Sequence, residues 1–110
     1  MYIPAQYKQL IGVWQGYSIF VVDGEYIRTT LKVIQFDDAG NGQAYIGFIP
    51  ANEIWAELKK PNDLIANICH EYFESEYMKS TGASYDEAHG LAMQFEGKVR
   101  AILGLSDANS

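Results

Sequence analysis

The residue chemistry of the chain changes near residue 50, and this limits the fold more than any other feature. Up to Pro50 the sequence is rich in Gly, Thr, Val, Ile and aromatic residues, which is strand and turn chemistry. Beyond it Ala, Glu, Leu and Lys take over, with residues that cap helices. Strands followed by helices imply an α+β domain with helices covering a sheet. The expectation is an antiparallel β-meander of three to four strands packed against two or three C-terminal helices, with a short N-terminal helix. A chain of 110 residues has room for one such domain, placed over 1–105, with a frayed tail over 106–110.

Local signals place the elements. Pro4 suits a first helical turn and Gly12 a helix end, which predicts a short helix over Ala5–Ile11. A strand is expected over Val13–Val22, a hairpin turn at Asp23-Gly24 and a return strand over Glu25–Phe36. A second turn over Asp37–Gly42 leads to a third strand, Gln43–Ile49. In that register Trp14, Phe20, Val22, Ile27, Leu31 and Val33 share an apolar core face. The other face is mixed and includes Tyr17, Tyr26, Arg28 and Lys32. Residues Asn52–Lys60 read as a helix stopped by Pro61, or as a short strand through Ile54, Ala56 and Leu58. A helix follows over Asp63–Lys79, capped by Asn62, with Leu64, Ile65, Ile68, Cys69 and Tyr72 as its apolar stripe. The last helix starts at Ser84, with Glu87 three residues on completing a capping box.

Composition excludes several function classes. The formal charge is −6, which opposes non-specific nucleic-acid binding and docking on anionic membranes. Cys69 is the only cysteine, so there is no internal disulfide and no cysteine-based zinc cluster. A single thiol suits a reducing compartment, and no secretory leader or membrane span is legible, so a cytoplasmic protein is expected. No phosphate-binding glycine loop and no nucleophile elbow occurs.

The sharpest chemical string is His70-Glu71-Tyr72-Phe73-Glu74. A His-Glu-x-x-His helix binds zinc through its two histidines, with the glutamate as base. Here Glu74 stands at the second histidine position, and His89 is the one histidine left as a third ligand. On the helical wheel His70 and Glu74 lie opposite the apolar stripe, so a solvated polar face is expected, with no metal and no cofactor. Cys69 beside that stripe reads as an inert core thiol. Asp37, Asp38, Asn41 and Gly42 read as a hairpin loop rather than a calcium loop.

Charge is uneven along the chain. Residues 1–60 carry six acids and five bases, whereas residues 61–110 carry eight acids and three bases. Asp63, Glu71, Glu74, Glu76 and Tyr77 are expected to form an acidic-aromatic outer face on the middle helix. Such a face suits a basic protein partner such as a toxin, a nuclease or a defence effector. The short, acidic, tyrosine-rich profile is similar to that of immunity proteins, antitoxins and anti-defence inhibitors. The expected function is therefore inhibition by protein binding, without enzymatic activity. One alternative is a small-ligand binder or minor enzyme with a site between sheet and helices, or on the face of Tyr17, Tyr26, Arg28 and Lys32. Another is a self-assembling subunit or homodimer, joined along the Gly90, Gly97 and Ala101 stripe of the last helix.

Overall fold

The first hairpin turns at Gln15-Gly16, because both residues adopt positive φ (54° and 83°). A two-residue loop with that geometry twists with its strands and joins them tightly. It connects β1, Lys8–Trp14, to β2, Tyr17–Val22, with Trp14 opposite Tyr17. The register runs back to Lys8 opposite Val22, with an irregularity between Leu10 and Gly12. The computed structural model describes residues 7–57 and 61–105. The expected helix over Ala5–Ile11 is thus strand from Lys8 onward, and Ala5 and the tail over 106–110 lie outside the described residues.

Asp23-Gly24 does not make a hairpin. Asp23 is extended and its side chain accepts from the Tyr26 amide at 3.1 Å, capping helix α1, Gly24–Thr29. Gly24 lacks the positive φ that such a turn needs. The expected return strand over Glu25–Phe36 is therefore a short helix and a loop. The Asp37–Gly42 turn contains the strand β3, Ala39–Asn41, and the expected third strand over Gln43–Ile49 is a run of turns. Strand β4, Glu53–Glu57, settles the choice at 52–60 for strand, with 58–60 outside the described residues.

The result is α+β with a four-stranded mixed sheet in the order β1-β2-β4-β3. The β2–β4 pair is parallel, the other two antiparallel, so the sheet is not a meander. Two long helices follow, α2 over Pro61–Thr81 and α3 over Tyr85–Leu103. Ser84 caps α3 by accepting from the Glu87 amide, as its sequence requires. No helix among the described residues is long and apolar enough to cross a membrane.

Alternation along β2 and β4 gives the sheet two apolar faces. One buries Val22 and Trp55 against Ile27, Phe36 and Ile49, with Phe20, Leu31 and Val33 around them. Most of the expected core face is there, although α1 rather than a strand delivers Ile27, and Trp14 is exposed. The other face presents Tyr17, Ile19 and Ile54 to Ile68 and Tyr72 of α2. The mixed face of Tyr17, Tyr26, Arg28 and Lys32 does not exist. Tyr17 is buried under α2, Arg28 on α1 grips Glu57 through two hydrogen bonds of 3.1 Å, and Lys32 lies in the loop.

Two glycines separate close approach from open space. A Cβ on Gly42 would stand 2.5 Å from the Pro50 carbonyl oxygen and 2.6 Å from the Ala51 Cα. A Cβ on Gly97 would meet nothing within 4 Å, so none of the described residues packs on α3 at that position. Gly42→Ala should cost about 1–3 kcal/mol through backbone displacement. Gly97→Ala should add about 0.5–1 kcal/mol of helix stability. Urea unfolding of the two variants should move the midpoint in opposite directions.

Candidate metal centre

The middle helix packs Ile68 and Tyr72 of its apolar stripe on the sheet as expected, but its polar face is buried as well. His70, Glu71 and Glu74 are 5%, 7% and 1% exposed, and Ser75 is fully buried, whereas Ile65 of the apolar stripe is exposed. Residues four apart share a helix face, and this face lies against β3 and α3. It is polar because both neighbours answer it with polar groups. On α3 the buried positions Ala88, Ala92, Glu96 and Arg100 recur every four residues. The two alanines let the helices approach, and the two charged residues then meet α2.

Glu74 is at the centre. Its Oε2 lies 2.8 Å from His89 Nδ1 and 3.3 Å from His70 Nε2. Its Oε1 accepts from Asn41 Nδ2 at 3.0 Å. The same amide nitrogen donates to Glu71 Oε1 at 2.7 Å, while Asn41 Oδ1 accepts from the Gln43 and Ala44 amides. Asn41, at the end of the edge strand, thus joins the turn after β3 to both carboxylates. His70 Nδ1 faces Glu96 Oε1 at 2.8 Å. Among the described residues no buried side-chain nitrogen or oxygen lacks a hydrogen-bond partner.

His70, Glu71, Glu74, His89 and Glu96 form the floor of a cavity of about 330 Å³. Asp37, Asp38 and Tyr45 line one side, and Tyr85 and Met93 of α3 the other. One donor atom from each of His70, Glu74 and His89 lies within 4.8 Å of the other two. Tetrahedral bonds of about 2.1 Å place donors about 3.4 Å apart, close to the 3.3 Å between Glu74 and His70 and longer than the 2.8 Å hydrogen bond between Glu74 and His89. Two nitrogens and a carboxylate oxygen leave a fourth position open for water or substrate.

The electrostatics follow from crowding. Burial, then the neighbouring Glu74 carboxylate, push Glu71 up to about 8. Burial opposes the His70 cation, but hydrogen bonds to Glu74 and Glu96 outweigh it and push its pKa up to about 10. For Glu74 and Glu96 burial is likewise outweighed, by hydrogen bonds to histidine and, for Glu96, to Arg100, so both are lowered. Burial and the carboxylates of Glu71 and Glu74 raise Tyr45 and Tyr85 to about 12, which keeps both phenols protonated.

The acidic outer face expected on α2 is therefore not a face. Glu71 and Glu74 point inward, and Asp63 accepts from Arg100 Nη1 at 2.7 Å. Glu76 accepts from the Tyr17 hydroxyl, and Tyr77 donates to Glu87 at 3.0 Å. Gly90 and Gly97 face open space, and Ala101 is exposed. Sequence reasoning named His70, Glu74 and His89 but expected a solvated polar face, read Asn41 only as a loop residue, and missed Glu96 and Arg100. The four-residue spacing from Ala88 to Arg100 was the available signal for the last two. No family model, no curated protein and no solved structure matches this chain.

The metal-free fold should show a stability maximum set by this cluster. Glu74 and Glu96 have lowered pKa values, so their contribution is present above about 4.5 and lost as pH falls. Glu71 and His70 have raised values. The Glu71 contribution fades from 4.5 up to about 8, and that of His70 from 6.5 up to about 10. Thermal melts in chelator should peak between these limits and decline on both sides. Glu71→Gln should flatten the alkaline decline below pH 8; an unchanged profile would show that Glu71 is not the buried acid.

Proposed function

We propose that the chain is a metal-dependent hydrolase acting on an uncharged acyl bond, an amide or an ester. The observation that carries this reading is the convergence of His70 and Glu74, one turn apart on α2, with His89 of α3 on the floor of the cavity. A divalent cation held there supplies a Lewis acid for the acyl oxygen and lowers the pKa of a bound water. Glu71 follows His70 directly in the chain, as the base does in a His-Glu-x-x-His helix. Asn41 holds its carboxylate.

In this reading Glu71, ionised on the alkaline side of its raised pKa of about 8, takes a proton from water as the water oxygen bonds to the acyl carbon. The bond to nitrogen or oxygen then breaks, and Glu71 returns the proton to the leaving group. The lining supports an uncharged acyl group over a phosphoester. Among the described residues it is lined by Asp37, Asp38, Glu71, Glu74 and Glu96 and by no lysine or arginine to receive an anion. An inhibitor role would need a different surface, because Glu71 and Glu74 are not available to a partner.

Calorimetric titration of chelator-treated protein with Zn²⁺ and Mn²⁺ should give one site per chain and a raised melting temperature. His70→Ala and His89→Ala should each abolish it. Glu71→Gln should keep the metal but lose hydrolysis of a fluorogenic peptide or ester by at least about 100-fold. Absence of binding by the unaltered chain would overturn the proposal.

A further inference from the structure

We propose that Glu96, gripped by Arg100, is the positioning residue of this centre, fixing the His70 ring so that Nε2 faces Glu74 and His89. The inference rests on the metal reading above and adds a group outside the ligand set.

Four side chains close a ring between the two helices. His70 Nδ1 lies 2.8 Å from Glu96 Oε1, and Glu96 Oε2 accepts from Arg100 Nε at 2.6 Å. Arg100 Nη1 donates to Asp63 Oδ1 at 2.7 Å, returning the chain of contacts to α2. The side chains of His70, Glu96 and Arg100 are all less than one-tenth exposed. Asp63 and His70 stand two turns apart on α2, and Glu96 and Arg100 one turn apart on α3. The ring therefore clamps helix to helix as well as side chain to side chain.

Its consequence for the histidine is geometric. An ionised carboxylate only accepts, so the ring nitrogen facing Glu96 must carry a hydrogen. That leaves Nε2 as the atom whose lone pair a cation can take, with its proton released to solvent. The second oxygen of Glu96 is held by the guanidinium, so the carboxylate cannot swing away. Without Glu96 the imidazole has both tautomers and a rotated orientation available. Carboxylates behind ligating histidines act in this way in metal sites generally.

The test is Zn²⁺ titration of the full chain, unaltered and as Glu96→Gln, Glu96→Leu and Asp63→Asn. The visible spectrum with Co²⁺ and metal-free melting curves accompany it. Glu96→Leu should bind about 10–100-fold more weakly, and Glu96→Gln by a smaller factor because its amide oxygen still accepts. Both should alter the Co²⁺ bands, which a purely structural role would leave unchanged. Asp63→Asn, acting through Arg100, should weaken binding least. Glu96→Gln keeps the shape of the side chain, so it decides the question even where Glu96→Leu fails to fold. Unaltered affinity and spectrum in a folded Glu96→Gln would overturn the positioning role and leave the metal centre standing. No binding by the unaltered chain would overturn both.

Discussion

A buried glutamate must be compensated, and the arrangement of the helical half follows from how Glu74 is. A lone carboxylate in that position would neutralise or drive the helices apart. Instead one oxygen lies between two imidazoles and the other accepts from Asn41. These partners come from α2 itself, from α3 and from the edge strand β3. Satisfying one side chain therefore sets the contact between the helices and places β3 beside the same helix face.

The burial of α2 on both sides follows from the same constraint. Its apolar residues Ile68 and Tyr72 cover Tyr17, Ile19 and Ile54 of the sheet, and Tyr72 also meets Trp14 at 4.8 Å. Its polar face is held between α3 and β3, where a second apolar surface would have been the simpler solution. Such a core is costly unless every member is paired, and here each is. Polar groups concentrated on the floor of a cavity, with carboxylates and two histidines converging, are what a reaction centre needs and what packing alone does not. The proposed chemistry and the inner stability of the helical half thus draw on the same side chains.

Much of the secondary structure was legible where one local interaction decides it. Ser84 with Glu87 starts α3, and Gly82 and Gly104 close α2 and α3 in the left-handed conformation. The alternation of β2 is visible in Tyr17–Val22. Asp23-Gly24 shows where local reading divides. The same two residues can turn a hairpin or open a helix, and the helix prevails because Ile27 and Phe36 must reach the core beside Trp55. Glu53–Glu57 is strand because β2 offers it a parallel partner, five residues in register. Nothing within that pentapeptide reveals a partner more than thirty residues away.

The sequence alone therefore determined the class of fold, strands then helices, and the N-cap of the last helix, and it named His70, Glu74 and His89 without bringing them together. It determined these because periodicity, capping and donor chemistry reside in residues at most a few turns apart. Only the tertiary structure decided that the polar side of α2 is buried as well. A wheel with an apolar and a polar side predicts a solvated polar side only while no polar neighbour packs against it. Here α3 supplies His89, Glu96 and Arg100, and β3 supplies Asn41. Hydrogen bonds to those distant residues reversed the sign of burial for His70, Glu71 and Glu74 and turned an expected outer surface into a candidate site.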